Sequence, residues 1–218
     1  MKRMRLQRLG KWLLDRLGAS LLIVLSAPAT VVVAIAVVVE DGPPVLFVQR
    51  RVGKGGRPFR MLKFRSMVRD AIAQHAVVTD DPFGVVRGDP RITSTGRFLR
   101  RTGLDELPQL LNVLVGQMSL VGPRPDVPEQ VANYTPGDRR RLAVRPGITG
   151  WAQVQGREEI GWPDRIALDV WYIEHWSLWL DVKIILLTIG QLFRADPDPV
   201  HDAMNVDRAR ERQRDRHH

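Results

Sequence analysis

The sequence predicts an α/β chain, mostly helical, with one membrane helix near its N-terminal end. Three observations carry that expectation. Leu17 to Val39 is a run of 23 residues without a charge. Two β-rich runs, 45–51 and 58–64, flank a glycine-rich turn from Gly53 to Arg57, which is a hairpin signal. The stretch from Asp164 to Phe193 is strongly helical and holds Trp171, Tyr172, Trp176 and Trp179. Aromatics at that density suit either a membrane interface or a large buried core helix.

A straight helix over Leu17 to Val39 would reach about 35 Å, enough to cross a bilayer core. The basic start and Ala27-Pro28-Ala29 resemble a signal peptide. However, the apolar run continues ten residues beyond Ala29, and a cleavable segment ends before its cleavage site. A spanning helix and a re-entrant one remain. Pro28 removes one backbone hydrogen bond and kinks a helix. Ser26 lies close enough to satisfy a freed carbonyl. Six basic residues precede the run, and Arg50, Arg51 and Lys54 follow it. The positive-inside rule puts both flanks in the cytoplasm and favours the U-turn.

The 218 residues suit one domain with a real core. There are no cysteines, which excludes disulfides, thiolate catalysis and thiolate metal sites. The net charge of +9 first suggests nucleic acid. Its distribution argues otherwise. Lys2, Arg3, Arg5, Arg8, Lys11 and Arg16 against Asp15 alone give +5 beside the apolar run. A basic run there reads as lipid-binding and topology-setting, so no nucleic-acid partner is expected.

Further along, residues 70–90 read as a polar loop and Thr93 to Leu99 as the start of a short helix. Leu104 to Gly116 has apolar residues at helical spacing, interrupted by Pro108 and closed by Gly116. A basic helix is expected near 137–142, then a loop, RPGITGWAQVQGR. His75, His175 and His201 are isolated, and His217-His218 is a terminal pair. They offer no zinc spacing. No P-loop, GxGxxG or GxSxG occurs.

Asp105 and Glu106 are adjacent acids at a helix start. Their side chains diverge by about 100°, so they suit separate tasks and not a facing pair. Capping and dipole compensation is the plainer reading. Their company points elsewhere. Arg91, Arg97, Arg100 and Arg101 precede them, Arg124 follows in GPRP, and Arg145 and Arg157 bracket RPGITGWAQVQGR. Arginine forks match phosphate oxygens, and glycine turns let backbone N–H groups approach anions. Carboxylates among arginines suggest a divalent metal with a polyanionic substrate.

Together, LFVQRRVGKGGRPFRMLKFRSM, DPRITSTGRFLRRTGLDELPQLLNVLVGQMSLVGPRP, RPGITGWAQVQGR and LDVWYIEHWSLWLDVKIILLTI resemble the bacterial sugar transferases, the monotopic phosphoglycosyl transferases. The likeness runs from about Lys11 to Gly190. It implies transfer of a sugar 1-phosphate from a UDP-sugar to polyprenol (undecaprenyl) phosphate with release of UMP. By that resemblance Asp105 is the nucleophile, through an aspartyl phosphosugar, and Glu106 is a Mg2+ ligand. Arg100, Arg124 and Arg145 match arginines around phosphate or nucleotide. Lys63 and Arg65 match a basic stretch, and Asp169 matches the acid of the family's LDV run. Ser26 and Pro28 match the break of a re-entrant membrane helix. Here Ala27 separates them, and Gly103 stands where serine is frequent.

The resemblance further implies three regions. Residues 1–40 form a basic N-terminus and the re-entrant helix. Residues 41–195 form a catalytic domain on the cytoplasmic face of the bacterial inner membrane, with interfacial amphipathic helices. Residues 196–218 form a flexible tail. The chain reads as a minimal catalytic unit. The alternative is a non-catalytic, membrane-anchored scaffold of the same fold, which has no reason to keep both acids.

Overall fold

The structure, a computed structural model, describes residues 2–71, 89–156 and 160–192. The expected tail, most of the 70–90 loop, Arg157, His75, His201 and the terminal histidines lie outside them. The first helix, α1, runs Lys2–Asp41 with Pro28 inside it. Its apolar part, Leu9–Asp41, is the one described helix long and apolar enough to cross a membrane. The helix continues through Pro28, without a non-helical break. Pro28 cannot donate to the Val24 carbonyl. Ser26 Oγ donates instead to the neighbouring Ile23 carbonyl, at a long 3.5 Å.

The protected positions of α1 recur every three or four residues: Lys11, Asp15, Ala19, Ile23, Ser26, Thr30, Val33, Val37 and Asp41. That spacing is one stripe along a helix. Leu17, Leu21, Val24, Leu25, Val32, Ile35 and Val39 are exposed. The helix therefore packs on the body around Ala19 and Ile23 and again around Val33 and Val37, and turns an apolar face outward.

Charged ties fix both ends. Near the start, Lys11 Nζ lies 2.8 Å from Asp181 Oδ2 and donates to the Val121 carbonyl at 3.0 Å. Asp15 accepts from Ser119 Oγ at 2.8 Å and Leu120 N at 3.0 Å. Near the end, the Glu40 carboxylate accepts from Ser94 N at 2.7 Å and Thr95 N at 2.9 Å. It covers orphan N–H groups at a helix start.

The hairpin follows as β1, Leu46–Val52, and β2, Pro58–Phe64. They pair antiparallel from Leu46↔Phe64 to Val52↔Pro58. Gly55 and Gly56, at φ 68° and 78°, make the turn. The Asn112 amide docks on β2: its Oδ1 accepts from Leu62 N at 3.1 Å, and its Nδ2 donates to the Arg60 carbonyl at 2.8 Å.

Helix α2, Ser94–Thr102, starts at the Thr93 cap and stops at Gly103, φ 70°. A 3₁₀ turn, Leu104–Glu106, leads through Pro108 into α3, Gln109–Leu114. The expected helix over 104–116 is thus two pieces. Strand β3, Ser119–Val121, and α4, Pro128–Ala132, come next. The expected basic helix near 137–142 is a 3₁₀ helix, Asp138–Ala143.

The RPGITGW stretch, expected as loop, contains β4, Gly147–Thr149, parallel to β3. It then begins α5, Trp151–Gly156. This second sheet needs its glycines. A Cβ on Gly147 would lie 2.1 Å from Gly122 N, closer than any atom pair allows. The stretch from Asp164 to Phe193 is broken in two: α6, Trp162–Glu174, and α7, Leu178–Leu192. Ser177 divides them, its Oγ accepting from Leu180 N at 3.2 Å, as helix-starting serines do.

The main core joins α1, the hairpin, α3, β3, α6 and α7 through Ala19, Met61, Val113, Met118, Tyr172 and Ile184. Asp181, wholly buried, sits inside it. It accepts from Tyr172 OH at 2.6 Å and Trp176 Nε1 at 3.1 Å besides Lys11. Removing one partner of a buried pair leaves the other charge uncompensated. We expect Asp181→Ala to lose about 3–5 kcal/mol of stability. A matching fall in thermal unfolding, with faster proteolysis near Lys11, is the check. An unchanged melting temperature would contradict it.

Candidate active site

The acid pair lies in the 3₁₀ turn between α2 and α3. Gly103 in the left-handed region makes the sharp reversal that begins it. Neither acid serves as the cap that position alone suggested. Lys63 reaches both: its Nζ is 2.9 Å from Glu106 Oε1 and 3.8 Å from Asp105 Oδ2. It comes from β2, on the same face as Phe59 and Met61. Arg124, from the GPRP loop, places Nη2 2.8 Å from the same Glu106 oxygen. Three separate segments therefore meet at one carboxylate.

The two acids have different electrostatics. Burial raises Asp105 above the usual aspartate range, and the Glu106 charge adds to it against Lys63, Arg100 and Arg124. Burial also acts on Glu106, but Arg124 and Lys63 hold it well below the carboxylate range. One environment thus gives a fixed anion and a more basic carboxylate side by side. Adjacent acids with divided roles need that arrangement.

Arg100 closes another side. Its Nε donates to Ser66 Oγ at 2.9 Å, and its charge acts on Asp105. Gly96 permits this approach, since a Cβ there would meet the Ser66 carbonyl oxygen at 2.0 Å. Arg51 also belongs to the cluster. Its Nη1 donates to the Pro125 carbonyl at 3.1 Å, and its Nη2 to Gln49 Oε1 at 2.6 Å. Burial, then the nearby Arg124 charge, pushes it down to about 10. Sequence reasoning had placed it only in a positive flank.

Other expected residues lie elsewhere. Arg65 is buried and tied to the loop after α1, 3.0 Å from Asp41 Oδ2, with Nη2 also donating to the Gly42 carbonyl at 2.5 Å. Arg91 pairs with buried Asp89 at 2.6 Å, and exposed Arg101 covers the Phe98 ring. Arg145 is half-buried and makes no side-chain hydrogen bond or ion pair with a described residue. Its backbone carbonyl lies against Gly122, beside the GPRP loop.

Asp169 acts at one remove. It lies 2.6 Å from Arg141 Nη2. Arg141 is itself buried and binds Asp126 at 2.6 Å, Tyr134 OH at 2.5 Å and the Arg124 carbonyl at 3.1 Å. Burial pushes Asp169 up to about 6 against the pull of Arg141. This knot fixes the backbone that presents Arg124, a link the sequence motifs do not reveal.

No group of three or more metal-ligating side chains occurs among the described residues. A caged metal therefore has no donor set here. Magnesium, however, commonly binds one or two carboxylates and completes its shell with substrate phosphate and water. Glu106 fits that mode. Both cations engage its Oε1, while Oε2 accepts no hydrogen bond from a described residue.

The model of the family described as bacterial sugar transferase matches residues 6–195. The uncharacterized sugar transferase EpsL of Bacillus subtilis is 43% identical over 177 residues, covering 81% of this chain and 84% of its own length. The UDP-glucose:undecaprenyl-phosphate glucose-1-phosphate transferase of Caulobacter vibrioides is 44% identical, covering 86% of this chain and 71% of its own. The Escherichia coli protein of the same name is 43% identical over 85% of this chain, which spans only 40% of that relative. The chain belongs to the bacterial sugar transferase family.

Proposed function

We propose that this chain moves a sugar 1-phosphate from a UDP-sugar to undecaprenyl phosphate, releasing UMP, as an early membrane step of polysaccharide synthesis. The observation that carries it is the acid pair held among Lys63, Arg100, Arg124 and Arg51. A diphosphate donor needs several cations around one nucleophile. The relatives named above for glucose 1-phosphate transfer support the reaction class.

In this reading, Asp105 attacks the β-phosphorus of the donor. The bond to the α-phosphoryl bridging oxygen breaks, its electron pair leaves with UMP, and an aspartyl phosphosugar remains. An oxygen of undecaprenyl phosphate then attacks the same phosphorus and frees the Asp105 carboxylate. This is covalent catalysis in two displacements. Burial above the usual aspartate range strengthens Asp105 as a nucleophile while Lys63 holds it oriented. Arg124 and Arg100 bind the phosphates, and Arg145, poised at the GPRP loop, takes the nucleotide side. Asp169 supports this set from behind through Arg141, and Arg65 fixes the loop that leads from α1 to the hairpin. Glu106 Oε2 would hold Mg2+, which supplies charge neutralisation on the diphosphate.

The proposed membrane arrangement rests on α1. Both its ends are tied to the same body, Lys11 to Asp181 and Glu40 to the start of α2. That supports a helix whose two flanks share one side of the bilayer, a re-entrant and monotopic placement with Ser26 and Pro28 at its middle. Trp171, Trp179, Leu186 and Ile189 are exposed on α6 and α7 and suit an interface. On this reading residues 1–40 anchor and 41–195 catalyse, on the cytoplasmic face of the inner membrane.

Three measurements test these proposals. UMP release with Mg2+, undecaprenyl phosphate and a panel of UDP-sugars should vanish in Asp105→Asn, and Glu106→Gln should require far more Mg2+. Full turnover by the first or an unchanged metal titration in the second would remove the assigned role. Arg141→Lys should raise the donor KM about tenfold, equivalent to about 1.4 kcal/mol, with kcat little changed. A fall in kcat alone would mark Arg141 as merely structural. Single cysteines placed just before Leu17 and just after Val39 should label from the same side, and opposite-side labelling would exclude the re-entrant helix.

A further inference from the structure

The outer face of the hairpin carries an arrangement that the reaction does not use. Strand alternation puts Gln49, Arg51, Met61 and Lys63 on the inner face and Leu46, Val48, Arg50, Arg60 and Leu62 on the other. Arg50 and Arg60 are direct cross-strand partners. Both are exposed, and neither side chain makes a hydrogen bond or ion pair with a described residue. Directly opposite residues have their Cβ atoms about 5 Å apart, and like charges there destabilise the sheet. Lys54 and Arg57 at the turn add two more exposed cations. A repelling pair with no counter-ion among the described residues calls for an anion from outside.

The surroundings identify the anion. A shallow recess lies at the pair, lined by Val48, Arg50, Pro58, Phe59 and Arg60. Toward the start of β1 the same face becomes apolar, with Leu46 38% and Val48 49% exposed. Leu46 comes five residues after α1 ends, where Val38 and Val39 are also exposed. From Leu46 to Arg50 is about 13 Å along a strand. That is a step from an oily end beside the anchor to a cationic end at the turn. The profile matches the passage from acyl chain to phosphate across one leaflet surface.

We propose that the outer face of the hairpin is an anionic-phospholipid contact, in which Arg50 and Arg60 clasp a lipid phosphate in the recess while Leu46 and Val48 meet the acyl region. The inference rests on the membrane reading above. It assigns the opposed arginines a destabilising role in the isolated protein that the lipid reverses. The contact sets the depth and tilt of β2, and β2 carries Lys63 on its other face.

The test uses the full chain in nanodiscs of phosphatidylcholine alone or with phosphatidylglycerol, read by thermal unfolding. The wild type should melt several degrees higher when phosphatidylglycerol is present. Arg60→Glu turns the repelling pair into an attracting one. It should melt above the wild type in phosphatidylcholine and lose most of the rise with phosphatidylglycerol. Arg50→Gln with Arg60→Gln should also lose that rise. An Arg60→Glu variant that melts at or below the wild type in phosphatidylcholine, or that keeps the full rise, overturns the proposal. So does an equal rise on adding millimolar inorganic phosphate to phosphatidylcholine discs, since the site would then take free phosphate. Wild-type protein that fails to remain in the discs would count against the anchoring role of α1 and not against the hairpin.

Discussion

The buried pair between Lys11 and Asp181 is the interaction on which much of the architecture rests. It joins the first helix to the last described one across the core, 2.8 Å apart. Asp181 is saturated by Lys11, Tyr172 and Trp176, so its charge is compensated where water does not reach. An ion in such a place is tolerable only when its partners are complete. The pair therefore dictates which face of α1 turns inward. The apolar residues on the opposite face are left outward as a consequence. The outward apolar face and the packing on the body are two sides of one helix orientation.

That orientation also builds the site. The end of α1 holds the start of α2 through Glu40, and α2 delivers Arg100 and the turn bearing Asp105 and Glu106. The hairpin that follows α1 delivers Lys63 and Arg51. The GPRP loop, packed beneath β4, delivers Arg124. No single element holds the acids. Their electrostatic difference is a product of packing: Glu106 meets two cations directly, while Asp105 meets burial with one cation further off.

Much of this was legible in the sequence because its signals are local. The hairpin showed in two β-rich runs around glycines, to within about a residue. The start of α2 was read at Thr93, which the structure makes its cap. What escaped was non-local. The parallel pairing of β3 and β4 joins segments 28 residues apart (Ser119 to Gly147), and its mark was the scatter of Gly122, Gly147 and Gly150, read only as loop chemistry. Gly96 looked like an ordinary helix residue, though it fixes how closely Arg100 approaches. The Arg141 knot drew two acids and a tyrosine from separate segments, which spacing does not reveal. Arg51 was recoverable, since strand alternation alone puts it on the face of Lys63. The joint in the long C-terminal helical stretch was also written, as the start signal at Ser177.

The Asn112 amide shows a different economy. One side chain presents an acceptor and a donor to β2 in the order a neighbouring strand would, meeting Leu62 N and the Arg60 carbonyl. A two-stranded sheet ordinarily leaves such groups open to pairing with another chain. Here they are filled by a residue on α3. The protein thereby guards part of a sticky margin without adding a strand.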